Sequence, residues 1–219
     1  MGTLIQGLRA ASAALALALA CASCVSTGGS ESNAKVVPRG PWLAPSPLLA
    51  QQIDDESQRL PWTHGLERVE LIRWFASVGE PAYPKLLELA EDPRNEVAAA
   101  ALAALGATGD RRLVPALQRL SWSTANRGAD LGLERSRALV RLGDWSALPA
   151  LIQGLRDDRS FTRALCAQAL QEATRQDFGY DAKATKESRE LAVQRWERWW
   201  LARGGDEMLS ERTVETGTR

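Results

Sequence analysis

Three times in this chain a glycine followed by an acidic residue separates two apolar segments: Gly79-Glu80, Gly109-Asp110 and Gly143-Asp144, spaced 30 and 34 residues apart. Four residues before each glycine stands a large apolar side chain (Phe75, Leu105, Leu139), and five or six residues after it a proline (Pro84, Pro115, Pro149). Glycine takes the backbone conformation that ends a helix, and an acidic residue after it caps the next one. Proline fits a first helical turn, where its missing N–H costs no hydrogen bond. Aliphatic groups follow: Leu86-Leu87, Leu117 with Leu120, and Leu151-Ile152 with Leu155. The pattern predicts a helix, a tight turn and a second helix, repeated.

The apolar spacing agrees. Leu71, Trp74, Phe75 and Val78 fall at i, i+3, i+4 and i+7. Val97, Ala100, Ala101, Ala104 and Leu105 make a similar stripe, as do Tyr83, Leu86, Leu87 and Ala90, and Leu148, Leu151, Ile152 and Leu155. No segment past residue 41 alternates in the manner of a strand, so the fold class is all-α. Asp92-Pro93-Arg94 and Asp157-Asp158-Arg159-Ser160 read as connectors that start helices. One such pair cannot bury its stripe alone, which predicts neighbours stacked side by side. Ser46-Pro47 opens an additional, capping helix within the segment 42–62, as N-cap and first helical residue, with Leu49, Ile53 and Leu60 on one side.

Asp92, Val97, Ala101-Leu102 and Ala104-Leu105 recur at equal spacing as Asp157, Thr162-Arg163, Cys166-Ala167 and Ala169-Leu170. This resembles the short bacterial form of the HEAT repeat, whose pattern is Asp, Val-Arg, Ala-Ala, Ala-Leu and a closing Gly-Asp. The third unit departs from it, with Leu131-Gly132 and Arg135-Ser136 at the middle positions. The resemblance covers 63–203 and implies an α-solenoid of about four helix pairs that binds other proteins. The stretch Phe178-Gly179-Tyr180-Asp181 before Trp196, Trp199 and Trp200 is similar to the closing element of such proteins. Ala192, Trp196, Trp199 and Trp200 share a face there and read as a cap over the open end, an aromatic ligand platform being the alternative.

The N-terminus reads as an address. Ala10 to Ala20 is Ala and Leu broken only by Ser12, too short to span a bilayer and of the length of a signal-peptide core. The small residues before Cys21 and Cys24 resemble a bacterial lipobox, which implies a leader over 1–24 and acylation of one of these cysteines, with plain secretion as the alternative. Residues 25–41, which open on a run of Ser, Thr, Gly, Gly, Ser, Glu, Ser and Asn after Val25 and carry no apolar periodicity, read as a flexible tether. The tail 204–219 carries no stripe and is expected to be disordered.

Candidate chemistry is sparse. Lys and Arg number 27 against 27 Asp and Glu, which lacks the basic field that draws nucleic acid. The single histidine, His64, precedes a predicted helix start, and one histidine cannot supply the ligand set of a metal-binding HEAT enzyme. Cys166 lies among alanines and reads as a small buried hydrophobe. Asp177-Phe178-Gly179 spells a kinase metal-binding triplet without the rest of a kinase. The expectation is therefore a non-catalytic scaffold with no cofactor and no metal, held to an envelope membrane by its N-terminal lipid and facing a protein partner. A self-associating envelope component, or a non-catalytic subunit of a lyase-like enzyme, are the alternatives. The resemblance places the concave side on the second helices, with Lys85, Glu88, Gln118, Arg119, Gln153 and Arg156 as candidate contacts. Arg135, Arg137 and Arg141 form a denser basic set.

Overall fold

The computed structural model describes residues 42–204. The expected leader with Cys21 and Cys24, the tether and the tail beyond Gly204 lie outside the described residues. Ten α-helices and no strand occur among those described: α1 (Pro47–Arg59), α2 (Gly65–Val78), α3 (Tyr83–Ala90), α4 (Asn95–Ala107), α5 (Val114–Gln118), α6 (Thr124–Arg127), α7 (Ala129–Arg141), α8 (Leu148–Gly154), α9 (Ser160–Thr174) and α10 (Lys186–Leu201). The all-α reading holds. Within the segment 42–62 the helix starts where the sequence puts it: Ser46 caps α1, its hydroxyl accepting from the Leu49 N–H, and Pro47 is its first residue, with a 3₁₀ turn over Leu60–Trp62 following.

Gly79, Gly109 and Gly143 have φ of 71°, 68° and 87°, the region an L side chain avoids. Each is followed by a 3₁₀ turn and then by α3, α5 or α8, with its proline in the first turn. Asp110 and Asp144 cap these turns by accepting from the backbone N–H of Arg112 (3.0 Å) and Ser146 (3.2 Å). Glu80 is one methylene longer and turns elsewhere: it accepts from the Leu43 N–H at 3.1 Å and pairs with Arg112.

α4 packs against α2, α3 and α7, α7 in turn against α8 and α9, and α8 against α9 and α10. Because α4 has neighbours on several sides, Ala98 and Leu102 are buried along with the predicted stripe. Its small residues let α7 approach closely. A Cβ on Gly106 would lie 2.8 Å from the Ala138 Cα and 3.1 Å from its Cβ. Glycine to alanine inside a helix normally stabilises by about 1 kcal/mol, but overpacking costs roughly 1–3 kcal/mol. The obstacle here is backbone, so Gly106→Ala is expected to destabilise the fold, read as a lower urea midpoint at an unchanged slope. A midpoint equal to that of the parent would show that α4 and α7 part freely.

The third unit is where helix gives way. Leu117 and Leu120 were expected on one helix, yet α5 stops at Gln118. Ser121 then donates from its N–H and hydroxyl to Glu91 (2.7 and 2.5 Å), and the Trp122 indole, buried, donates to the Ala90 carbonyl at 2.9 Å. Arg127 and Arg135 lie over the Trp122 ring. At the C-terminal end Trp196 and Trp200 are buried in a cluster with Leu148, Leu151, Ile152 and Leu170, while Trp199 is half-buried. That burial leaves Trp196 and Trp200 no role as an exposed platform.

Candidate functional site

α7 has open ground on two sides. On one side lies a hollow of about 350 Å³ between the first turns of α4, the middle of α7 and the start of α9, with Ala99, Leu131, Leu133, Leu165 and Phe161 as its apolar walls. On the other, between α7 and α8, lies a hollow of about 460 Å³ lined by Ala129, Gly132, Ser136, Ala150 and Gly154, with Gln153, Arg156 and Asp157 beside them. Leu133 lines both. Side chains this small leave room for another chain to approach α7 and α8 closely.

Phe161 sets the character of the first hollow. α9 buries Arg163, Cys166, Ala169 and Leu170 on its inner face, and Phe161 falls off that face, 71% exposed. Around it the charges are mostly matched. Arg159 bridges Asp130 and Asp157, holding both carboxyls below the usual range. Arg137 pairs with Glu134 at 2.6 Å, and its buried Nε has no hydrogen-bond partner. Glu96 is exposed, with Arg68 at 3.7 Å. An apolar pocket with a polar, largely neutralised rim suits an apolar anchor carried by a protein or peptide.

Of the six residues expected to form the contact surface, only Gln153 and Arg156 line this ground. Lys85 pairs with Asp54 (3.0 Å) and Glu88 (3.3 Å), and Gln118 donates to Asp144 at 2.7 Å. Arg119 is exposed. Arg156 is held by Glu190 and Glu197 of α10, each at 2.6 Å, and also donates to Gln153. It is a brace between α8 and α10, so reversing its charge would gather three acids and test stability more than binding. The basic set on α7 is likewise committed: Arg135 donates to the Gln118 carbonyl, Arg137 to Glu134, and Arg141 to Glu172. The groove residues Phe161, Leu133 and Leu165 were missed by a reading that looked for polar positions. The available signal was an aromatic residue outside its helix's apolar stripe.

Cys166 lines the floor of the first hollow, but burial pushes its thiol up to about 11. In a Cys21→Ser, Cys24→Ser chain at pH 8, it is expected to react with a thiol reagent only after denaturant is added. Rapid labelling of the native chain would mean that α9 opens readily. His64 is the exposed N-cap of α2, and Asp177 accepts from the Gly179 N–H at 2.9 Å, a local turn contact. Among the described residues, no three His, Cys, Asp or Glu side chains are grouped to hold a metal ion, and no helix is long and apolar enough to cross a membrane.

No protein-family model matches the chain, and comparison with curated proteins and with solved structures returns no similar protein.

Proposed function

We propose that the chain is a HEAT-like α-solenoid tethered to an envelope membrane through Cys21 or Cys24, and that it binds a protein in the groove on α7. The observation that carries the binding reading is the apolar hollow beside Leu131, Leu133 and Leu165, with Phe161 71% exposed at its edge. Apolar surface of this kind, rimmed by charge, marks interaction sites. The regular Gly-acid turns and the packing of α2, α4, α7 and α9 on one another in chain order support the solenoid reading. The lipobox-like cysteines support the tether.

The test is purification of the C-terminally tagged protein from its native envelope, with co-purifying proteins quantified by mass spectrometry. One near-stoichiometric partner is expected, retained when Arg119 is reversed to Glu and lost with Phe161→Ser, whose exposed site leaves the melt unchanged. Recovery of the chain alone under every detergent and salt would sink the adaptor reading in favour of self-association. A partner insensitive to Phe161→Ser would move the site away from α7. Partitioning with membranes after Cys21 and Cys24 are both changed to Ser would remove the lipid anchor from the account.

A further inference from the structure

Eight large apolar side chains are exposed among the described residues, and five of them fall between Trp42 and Val69: Leu43, Leu48, Trp62, Leu66 and Val69. Trp62 is 79% exposed, and the other seven tryptophans are buried or half-buried. Its exposure is not slack. Leu60 and Thr63 on either side of it are buried, and the Thr63 hydroxyl donates to the Leu60 carbonyl at 2.8 Å, which fixes the turn. Arg59 reaches over this turn to Glu67 at 3.0 Å, drawing the end of α1 toward the first turn of α2. There Leu66 and Val69 lie one turn apart on the same side of the helix.

We infer that this face rests on the surface of a lipid bilayer, with Trp62 at the headgroup level and Leu66 and Val69 against the acyl boundary. The inference rests on the tethered reading above. What selects a bilayer as the occupant is where the remaining chain attaches. The described residues begin at Trp42, about 20 residues after Cys21 and Cys24. Were that stretch the tether its sequence implies, its root-mean-square span would be roughly 25 Å, and the end of the domain carrying Leu43 to Val69 would be held near the lipid. Exposed apolar side chains are concentrated at that end. Tryptophan is the side chain enriched at membrane interfaces, where one edge of the ring meets water and the rest meets hydrocarbon. The nearby charges are partly matched: Arg59 sits between Glu56 (2.7 Å) and Glu67 (3.0 Å), exposed Arg73, one turn beyond Val69, stands against exposed Glu70, and exposed Asp55 adds a negative charge on α1.

The experiment mixes the purified, lipidated full chain with phosphatidylcholine vesicles whose acyl chains carry bromine, a short-range quencher of tryptophan. Flotation reports the anchor, and quenching reports the face. The parent is expected to float and to lose part of its emission. Trp62→Phe is expected to float equally well and lose more than half of that quenching. Flotation without quenching, or quenching that survives Trp62→Phe, overturns the face and leaves the anchor standing. Failure to float overturns the anchor and this inference with it. A concentration-dependent dimer abolished by Leu66→Ser, with no quenching by lipid, assigns the face to a second copy of the chain and overturns the inference.

Discussion

Replacing Trp196 with alanine is expected to lower the melting temperature by roughly 10 °C, through a loss of about 3–5 kcal/mol. The indole is 1% exposed and meets Phe178 edge-on at 4.8 Å and Trp199 at 5.6 Å between centroids. Removing it opens a cavity between α10 and α8 that the short, proline-started α8 is poorly placed to fill. Phe178 is poorly placed to fill it too, because its backbone sits at φ 51° in a loop tied elsewhere: the Tyr180 hydroxyl donates to the Leu155 carbonyl at 2.6 Å. Trp196→Phe should recover much of the loss. The Trp196 indole N–H is buried with no hydrogen-bond partner, so phenylalanine gives up no bond there. Circular dichroism melts of the three proteins decide it, and a fall of less than about 2 °C for alanine would mean that α10 is not holding this end of the fold.

The second large effect is expected at Arg163, 7% exposed. Its Nε and Nη2 donate to the Ala182 carbonyl (3.0 and 2.6 Å), and its Nη1 donates to the carbonyls of Asp157 and Asp158 (2.8 and 2.7 Å). One guanidinium thus ties the connector before α9 to the loop before α10. Arg163→Met keeps most of the apolar stem but strands three carbonyls. Charge-assisted hydrogen bonds contribute roughly 1.5–3 kcal/mol each and do not add, so the expected loss is about 2–4 kcal/mol. Hydrogen exchange should rise at the Tyr180 and Ala184 amides, whose turns the arginine supports. Lysine should not rescue, because a single ammonium lacks the planar fork that serves both segments. A lysine variant as stable as the parent would show that the charge alone matters.

Much of the fold is legible in the sequence because it is written in local terms. Gly79, Gly109 and Gly143 mark the turns, and Pro84, Pro115 and Pro149 mark the helix starts, since backbone conformation depends on one residue at a time. The stripes on α3 and α8 are legible for the same reason. The end of α5 is not. Nothing local forbids a helix through Leu120; what stops it is Trp122 bonding to Ala90 and Ser121 bonding to Glu91, partners about thirty residues away. The burial of Arg163 is hidden likewise, since its acceptors include a loop carbonyl downstream. The groove was missed for a related reason: its walls come from α4, α7 and α9, segments about thirty residues apart in sequence. Polar positions on α3, α5 and α8 look free in a helical projection, but Lys85, Gln118 and Arg156 each have an internal partner.

The reach of the connecting bonds has a consequence for how the molecule is made. Ser121 to Glu91, Arg127 to Asp92, Arg159 to Asp130 and Arg156 to Glu190 join residues 29 to 35 apart. Each contact closes a short loop, and loops of similar length carry similar entropic penalties. Such wiring gives low contact order, for which folding in the microsecond-to-millisecond range is usual.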